Sequence, residues 1–137
     1  MMEFMKPLMV AASGLKAQTS RMRVIAENIA NAESTAETPG ADPYRRRVPT
    51  FKATLDREIG AQTVQVDRIR PDKSAFRLVH EPGHPAADDK GYVKRPNVNT
   101  LIETVDMREA QRSYEANLNV ITATRQMLAR TLDILRA

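Results

Sequence analysis

The sequence predicts a mainly α protein with a small β-rich insertion, in which long N- and C-terminal helices pack as a coiled-coil-like pair in an elongated molecule. Met107, Tyr114, Ile121, Leu128 and Leu135 are spaced seven apart, with Val120, Met127 and Ile134 one residue before three of them. Leu8, Leu15, Met22 and Ile29 repeat that spacing near the other end, with Ala11 and Ile25 between them. A helix turning once per 3.6 residues gathers each set on one side. Helix breakers complete the pattern: of eight Pro and five Gly, all but Pro7 and Gly14 lie between the two helical stretches.

Helix one is expected from Pro7, since proline is tolerated in a first turn, to about Asn31. Gly14 lies inside it, as either a tolerated weak spot or a place where another backbone comes close. Glu33-Ser34-Thr35-Ala36-Glu37-Thr38-Pro39-Gly40 reads as a loop. The chain therefore divides into an N-terminal helix (1–32), a loop and small β-rich region (33–98) and a C-terminal helix (99–137), the two helices forming one inner helical domain. In the middle, Val64 and Val66 alternate with Gln65 and Asp67, and Phe76, Leu78 and Val79 form a second strand-like patch, with a turn at Pro71-Asp72 between them. Turns at Glu81 to Pro85 and Asp88 to Gly91 lead into a third short strand at Tyr92-Val93-Lys94. Thr100 followed by Glu103 has the spacing of a capping box and marks the start of helix two. From Leu101 to Leu135 that helix would measure about 52 Å, against about 35 Å for Leu8 to Ala30. One cannot cover the other, so the excess needs the β-rich unit or neighbouring subunits. Asn117, Thr124 and Thr131 stand at heptad positions where a stable two-stranded coil carries Leu, so this face is tuned to particular partners.

Three Phe, three Tyr and no Trp leave little bulk for a core in the middle of the chain. With no Cys, disulfides and thiolate metal sites are excluded. The net charge of +4 is a mild excess of 21 basic over 17 acidic residues. It is too diffuse for the stripe of a nucleic-acid binder, and no nucleic-acid partner is expected. No run of eighteen apolar residues offers a membrane span, and Lys6 and Pro7 interrupt the start as a secretory signal. A chain of this kind that leaves the cytoplasm is expected to do so without a cleaved signal peptide.

No active site is evident. His80 and His84, near Glu81, Asp88 and Asp89, could suggest zinc. Histidines four apart chelate well only on a helix, however, which Pro82, Gly83 and Pro85 forbid. There is no phosphate-cradling glycine loop, no nucleophile elbow and no carboxylate pair in an apolar setting. The expectation is a non-enzyme without catalytic residues, metal, cofactor or small-molecule substrate. Arg45, Arg46 and Arg47, the densest basic run, are expected to meet carboxylates on adjoining subunits. A basic nucleic-acid binder and a small metalloenzyme are the competing classes. Steep salt dependence on heparin resin would mark the first, and stoichiometric metal the second.

Two stretches carry a resemblance. Ser13-Gly14-Leu15-Lys16-Ala17-Gln18, continuing through Val24-Ile25-Ala26-Glu27-Asn28-Ile29-Ala30-Asn31, resembles the N-terminal signature of bacterial flagellar rod and hook proteins. Val105-Asp106-Met107-Arg108-Glu109-Ala110-Gln111-Arg112-Ser113-Tyr114-Glu115-Ala116-Asn117 resembles their C-terminal signature. Pro43-Tyr44-Arg45-Arg46-Arg47, and His80 to Pro85 leading to Lys90 through Asn99, are similar to the proximal-rod type of the flagellar basal-body rod family. The segment 60–70 matches least well. The resemblance implies a structural subunit of the proximal rod, exported by the flagellar type III apparatus and assembled in the periplasmic space into the shaft that transmits motor torque. Implied partners are other rod subunits, the basal adaptor protein beneath them and the surrounding ring proteins.

Joined to the heptads, this predicts the subunit-packing residues. They are Leu8, Ala11, Leu15, Met22, Ile25 and Ile29 on helix one, and Met107, Tyr114, Leu118, Ile121, Leu128, Leu132 and Leu135 on helix two. Arg45, Arg46 and Arg47 are the intersubunit polar candidates.

Overall fold

The computed structural model describes residues 2–137. In chain order they form α1 (Met2–Ala30), β1 (Arg47–Asp56), β2 (Ala61–Pro71), β3 (Arg77–His80), β4 (Tyr92–Arg95) and α2 (Thr100–Arg136). β1 pairs with β2 and β3 with β4, giving two separate two-stranded sheets. The main-α, β-inserted class expected from the sequence is the one observed.

α1 starts five residues ahead of the expected Pro7, which now sits in its second turn. Pro7 has no N–H to donate to the Glu3 carbonyl, so one bond of the ladder is lost, close to the helix end rather than in its middle. The start of α2 also differs in its chemistry. Asn99 is the cap, its Oδ1 accepting from the backbone N–H groups of Leu101 (3.1 Å) and Ile102 (3.4 Å). Glu103 does not reach back to close a box. Its carboxylate is buried against Arg46 instead.

β1 escaped the sequence pattern. It reads Arg-Val-Pro-Thr-Phe-Lys-Ala-Thr-Leu-Asp without clean alternation, and its register with β2 is held partly by side chains. Thr50 Oγ1 donates to Arg68 O at 2.9 Å and accepts from Arg68 N at 3.2 Å. Pro71 ends β2 as expected, but the strands on either side of the Pro71-Asp72 turn belong to different sheets.

The chain folds as two compact units, each drawing on both helices. The first comprises Met1–Met22, Thr50–Arg68 and Arg108–Ala137. In it, Gly14 of α1 lies against Asn117 of α2, and Arg21 pairs with Glu109 at 3.5 Å. The helices therefore run antiparallel, with paired residue numbers adding to about 131. β2 is tied to α1 where Val64 N–H donates to Ser13 Oγ at 3.2 Å. On that register α2 continues about seven residues beyond the start of α1.

The second unit comprises Arg23–Pro49 and Ile69–Met107. β3 and β4 are antiparallel, with Arg77 opposite Arg95 and Val79 opposite Val93. Glu33 relieves the like-charge pair, lying 3.2 Å from Arg77 and 3.8 Å from Arg95. Gly91 has φ +84°, and a Cβ there would meet His80 Nε2 and Pro82 Cγ at 3.2 Å, so the turn into β4 requires glycine. Val24, Ile25, Ala32, Ala86, Val93 and Val98 form the small apolar core of this unit.

Candidate assembly surface

The buried and exposed residues are distributed in an unusual way. The largest side chains with less than 2% exposure are Glu103, Val24, Val93, Asn28 and Pro96, among which there is no Leu, Met or Phe. The most buried positions of α2, Glu103, Ala110 and Thr124, share one seven-residue stripe with half-buried Asn117. These residues are small or polar, and α1 answers with Ala11, Gly14 and Ala17. The helices can therefore approach closely while burying little apolar area. Thr124 and Asn117 satisfy themselves along their own helix, donating to Val120 O (2.8 Å) and Ser113 O (3.0 Å).

The bulky apolar residues lie to the side of this seam or off it. Of the predicted packing residues on α1, Ala11 and Ile25 are buried, Leu8, Leu15 and Met22 half-buried, and Ile29 exposed. On α2, Met107, Tyr114, Ile121 and Leu128 are half-buried, while Leu118, Leu132 and Leu135 are 44%, 40% and 75% exposed. Leu101, Ile102, Val105, Val120, Met127 and Ile134 are exposed as well. No helix among the described residues is long and apolar enough to cross a membrane.

The polar centre lies in the second unit. Arg46 pairs through Nε with Glu103, through Nη1 with Asp72 (3.2 Å) and through Nη2 with Asp106 (3.7 Å). Its backbone N–H donates to Asn97 Oδ1 at 2.7 Å, and Asn97 Nδ2 donates to Asp72 O at 3.0 Å. Asn28, 1% exposed, donates to Arg47 O (2.8 Å) and accepts from Tyr44 O–H (2.7 Å) and Arg47 N–H (3.0 Å). No buried side-chain polar atom among the described residues lacks a partner. Burial works against the Arg46 charge, but hydrogen bonding and Coulombic attraction from Glu103 and then Asp72 outweigh it and raise its pKa. Backbone and hydroxyl hydrogen bonds from Ser74, followed by Arg46, hold Asp72 below its usual range. Burial pushes the Tyr44 hydroxyl up, with Arg47 opposing and Glu27 and Glu103 adding to the rise.

This arrangement departs from the expectation that all three arginines face neighbours. Arg46 is committed inside its own chain because the buried Glu103 carboxylate needs a cation. Arg45 donates to Asp72 O and Ser74 O (2.9 and 3.0 Å), its guanidinium 4.2 Å above the Phe76 ring. Arg47 is the most exposed of the three, with a 3.7 Å contact to Glu27 and its guanidinium 5.8 Å from the centroid of the Tyr44 ring. Asn28 and Glu103 were missed as site residues. The available signal was a carboxylate on the same seven-residue stripe as Ala110, where an unpaired charge could not remain. His84 Nδ1 accepts from Ala86 N–H at 3.0 Å, and His80 packs edge-on to Tyr92 with centroids 5.0 Å apart. No cluster of three potential metal ligands occurs among the described residues.

Close-packed small seams with large apolar side chains turned outward define an assembly subunit, one that leaves much of its apolar surface for neighbours to cover. Family comparisons specify which kind. A profile described as "Flagella basal body rod protein" matches residues 8–36, and one described as "Flagellar basal body rod FlgEFG protein C-terminal" matches residues 89–134. The flagellar basal-body rod protein FlgC of Agrobacterium fabrum is 54% identical over 128 residues, covering 93% of this chain and 92% of that protein. FlgC of Borreliella burgdorferi is 43% identical over 93% of this chain and 94% of its own. FlgC of Salmonella typhimurium is 39% identical over 91% and 92%. The chain belongs to the FlgC family of flagellar basal-body rod proteins, and it is a structural subunit of the proximal rod.

Proposed function

We propose that this chain builds the proximal rod by covering the outward apolar residues of its terminal helices on neighbouring rod subunits, the helices together forming an inner layer and residues 33–98 a separate outer part. The observation that supports this most directly is the exposure of Leu118, Met127, Leu132 and Leu135 on a helix whose seam with α1 uses small residues. Each large aliphatic side chain covered on assembly contributes about 1.5–3 kcal/mol. Leu8, Leu15, Met22 and Ile29 serve the same surface on α1. Arg45 and Arg47 supply polar contacts to acidic neighbours. The function is mechanical, transmitting torque across the periplasm without catalysis. Its partners are other rod subunits, the basal adaptor protein and the surrounding rings. Delivery through the flagellar export apparatus without a cleaved signal peptide completes the reading.

The test is a strain whose own copy of the gene is deleted and which carries this chain as the only source. Basal bodies isolated from it should contain the chain at rod stoichiometry with its N-terminus intact, and swimming should return. Basal bodies that assemble fully without it would overturn the proposal.

A further inference from the structure

Beside the polar cluster, Tyr44, Arg45, Arg47, Ile69 and Pro71 line an open groove of about 540 Å³. Ile69 and Pro71 are exposed, so the floor is apolar, while the walls carry two guanidinium groups. Arg47 is 55% exposed and loosely paired, and the adjacent Arg70 has no carboxylate within 4 Å among the described residues. Spare guanidinium donors over an apolar, aromatic-edged floor suit an acidic, extended peptide.

This chain contains such a peptide. Residues 33–44 hold Glu33, Glu37 and Asp42 without a single Lys or Arg, and residues 37–42 are all exposed. Within its own chain, Glu33 and Asp42 are drawn to Arg77, Arg95 and Lys94 on β3 and β4. Glu37 has no cation within 4 Å among the described residues. We propose that the arginine groove of one copy receives the exposed 37–42 loop of a second copy, with Glu37 facing Arg47. Groove and loop are different surfaces, so the contact is heterologous, of the head-to-tail kind that builds rings or open helices. The inference rests on the rod-subunit reading and names one of that subunit's neighbours as its own copy.

The absence of cysteine allows a clean test. Two full-length copies, Ile69→Cys and Glu37→Cys, are co-expressed as the only sources of the chain, and isolated basal bodies are mildly oxidised. A disulfide-linked dimer is expected in the mixture and only at background when either copy is expressed alone. In parallel, Arg47→Glu and Glu37→Arg should each lower rod incorporation about tenfold, and the two reversals on one chain should restore it. No dimer in the mixture, with the chain present at normal level in the basal bodies, would overturn the contact. So would a double reversal that fails to recover, which is the result expected if the groove faces an acidic segment of a different rod protein. Basal bodies lacking even the unaltered chain would instead sink the rod-subunit reading, and this inference with it.

Discussion

Gly14 and Asn117 meet so closely that a Cβ built on Gly14 would lie 2.8 Å from both Nδ2 and Oδ1 of Asn117, room that a methyl group gains only by displacing the Asn117 amide. Glycine within a helix ordinarily costs about 1 kcal/mol against alanine. Here that cost secures the close approach of α1 and α2. Because Asn117 Nδ2 is bonded to Ser113 O, the amide cannot move aside freely. Gly14→Ala should therefore fail to deliver the usual helix gain and instead destabilise the chain. In an Asn117→Ala background the same change should stabilise by about 1 kcal/mol. Thermal unfolding of the four chains, followed by circular dichroism, measures the coupling, and additive effects would refute the contact.

The Arg46–Glu103 pair should be the most sensitive polar contact of the second unit. Glu103→Ala leaves Arg46 in a mostly enclosed site with only Asp72 and the more distant Asp106, and should cost about 3 kcal/mol. Arg47→Ala, which removes an exposed 3.7 Å pair, should change stability by less than about 1 kcal/mol. Chemical denaturation of both variants provides the comparison, and equal losses would mean that the cluster is not what holds this unit.

Leu132→Asp and Leu135→Asp introduce charge at exposed positions near the end of α2. The isolated variants should unfold within about 0.5 kcal/mol of the parent. In cells they should block rod assembly, because a neighbour would have to bury the carboxylate. Ala110→Asp, at a fully buried position, should fail in both assays. Normal motility with Leu132→Asp would show that this end of the helix stays solvated.

Acid should act on the second unit through Asp72. Its folded pKa lies below the ordinary aspartate value of about 3.9, so the native state binds this proton more weakly than the unfolded chain. The stabilisation from this group is complete above that value and lost as pH falls through the lower folded pKa. Melting temperatures measured down to about pH 2 should fall along an acid limb that is shallower in Asp72→Asn. An unchanged limb would assign the acid sensitivity to other carboxylates.

The terminal helices were legible because their periodicity is long and strong, and both ends of α2 fell within a residue or two of the sequence reading. The faces were less legible. Heptads of Met107, Tyr114, Ile121 and Leu128 point to a bulky seam, yet the tightest contact falls one stripe away, on Ala110, Asn117 and Thr124. Small residues give no hydrophobic signal, although they set how near two helices can come. β1 was missed because Val48, Phe51 and Leu55 do not alternate, and its strand character depends on pairing with β2. Arg46 looked like its two neighbours in sequence. Only the fold brings Glu103 to it and leaves Arg47 outside.

The polar cluster draws its members from residues 28, 44–47, 72, 97 and 103, and the bond from Asn28 to Glu103 spans 75 positions. A chain made from its N-terminus cannot complete that arrangement until three quarters of its length has been synthesised. Until then Asn28 has its partners at Tyr44 and Arg47, and Arg46 its partners at Asp72 and Asn97, but the buried carboxylate that joins Asn28 to Arg46 is missing. The last piece of this network therefore comes from the helix that is made last, and the cluster closes only when α2 supplies Glu103.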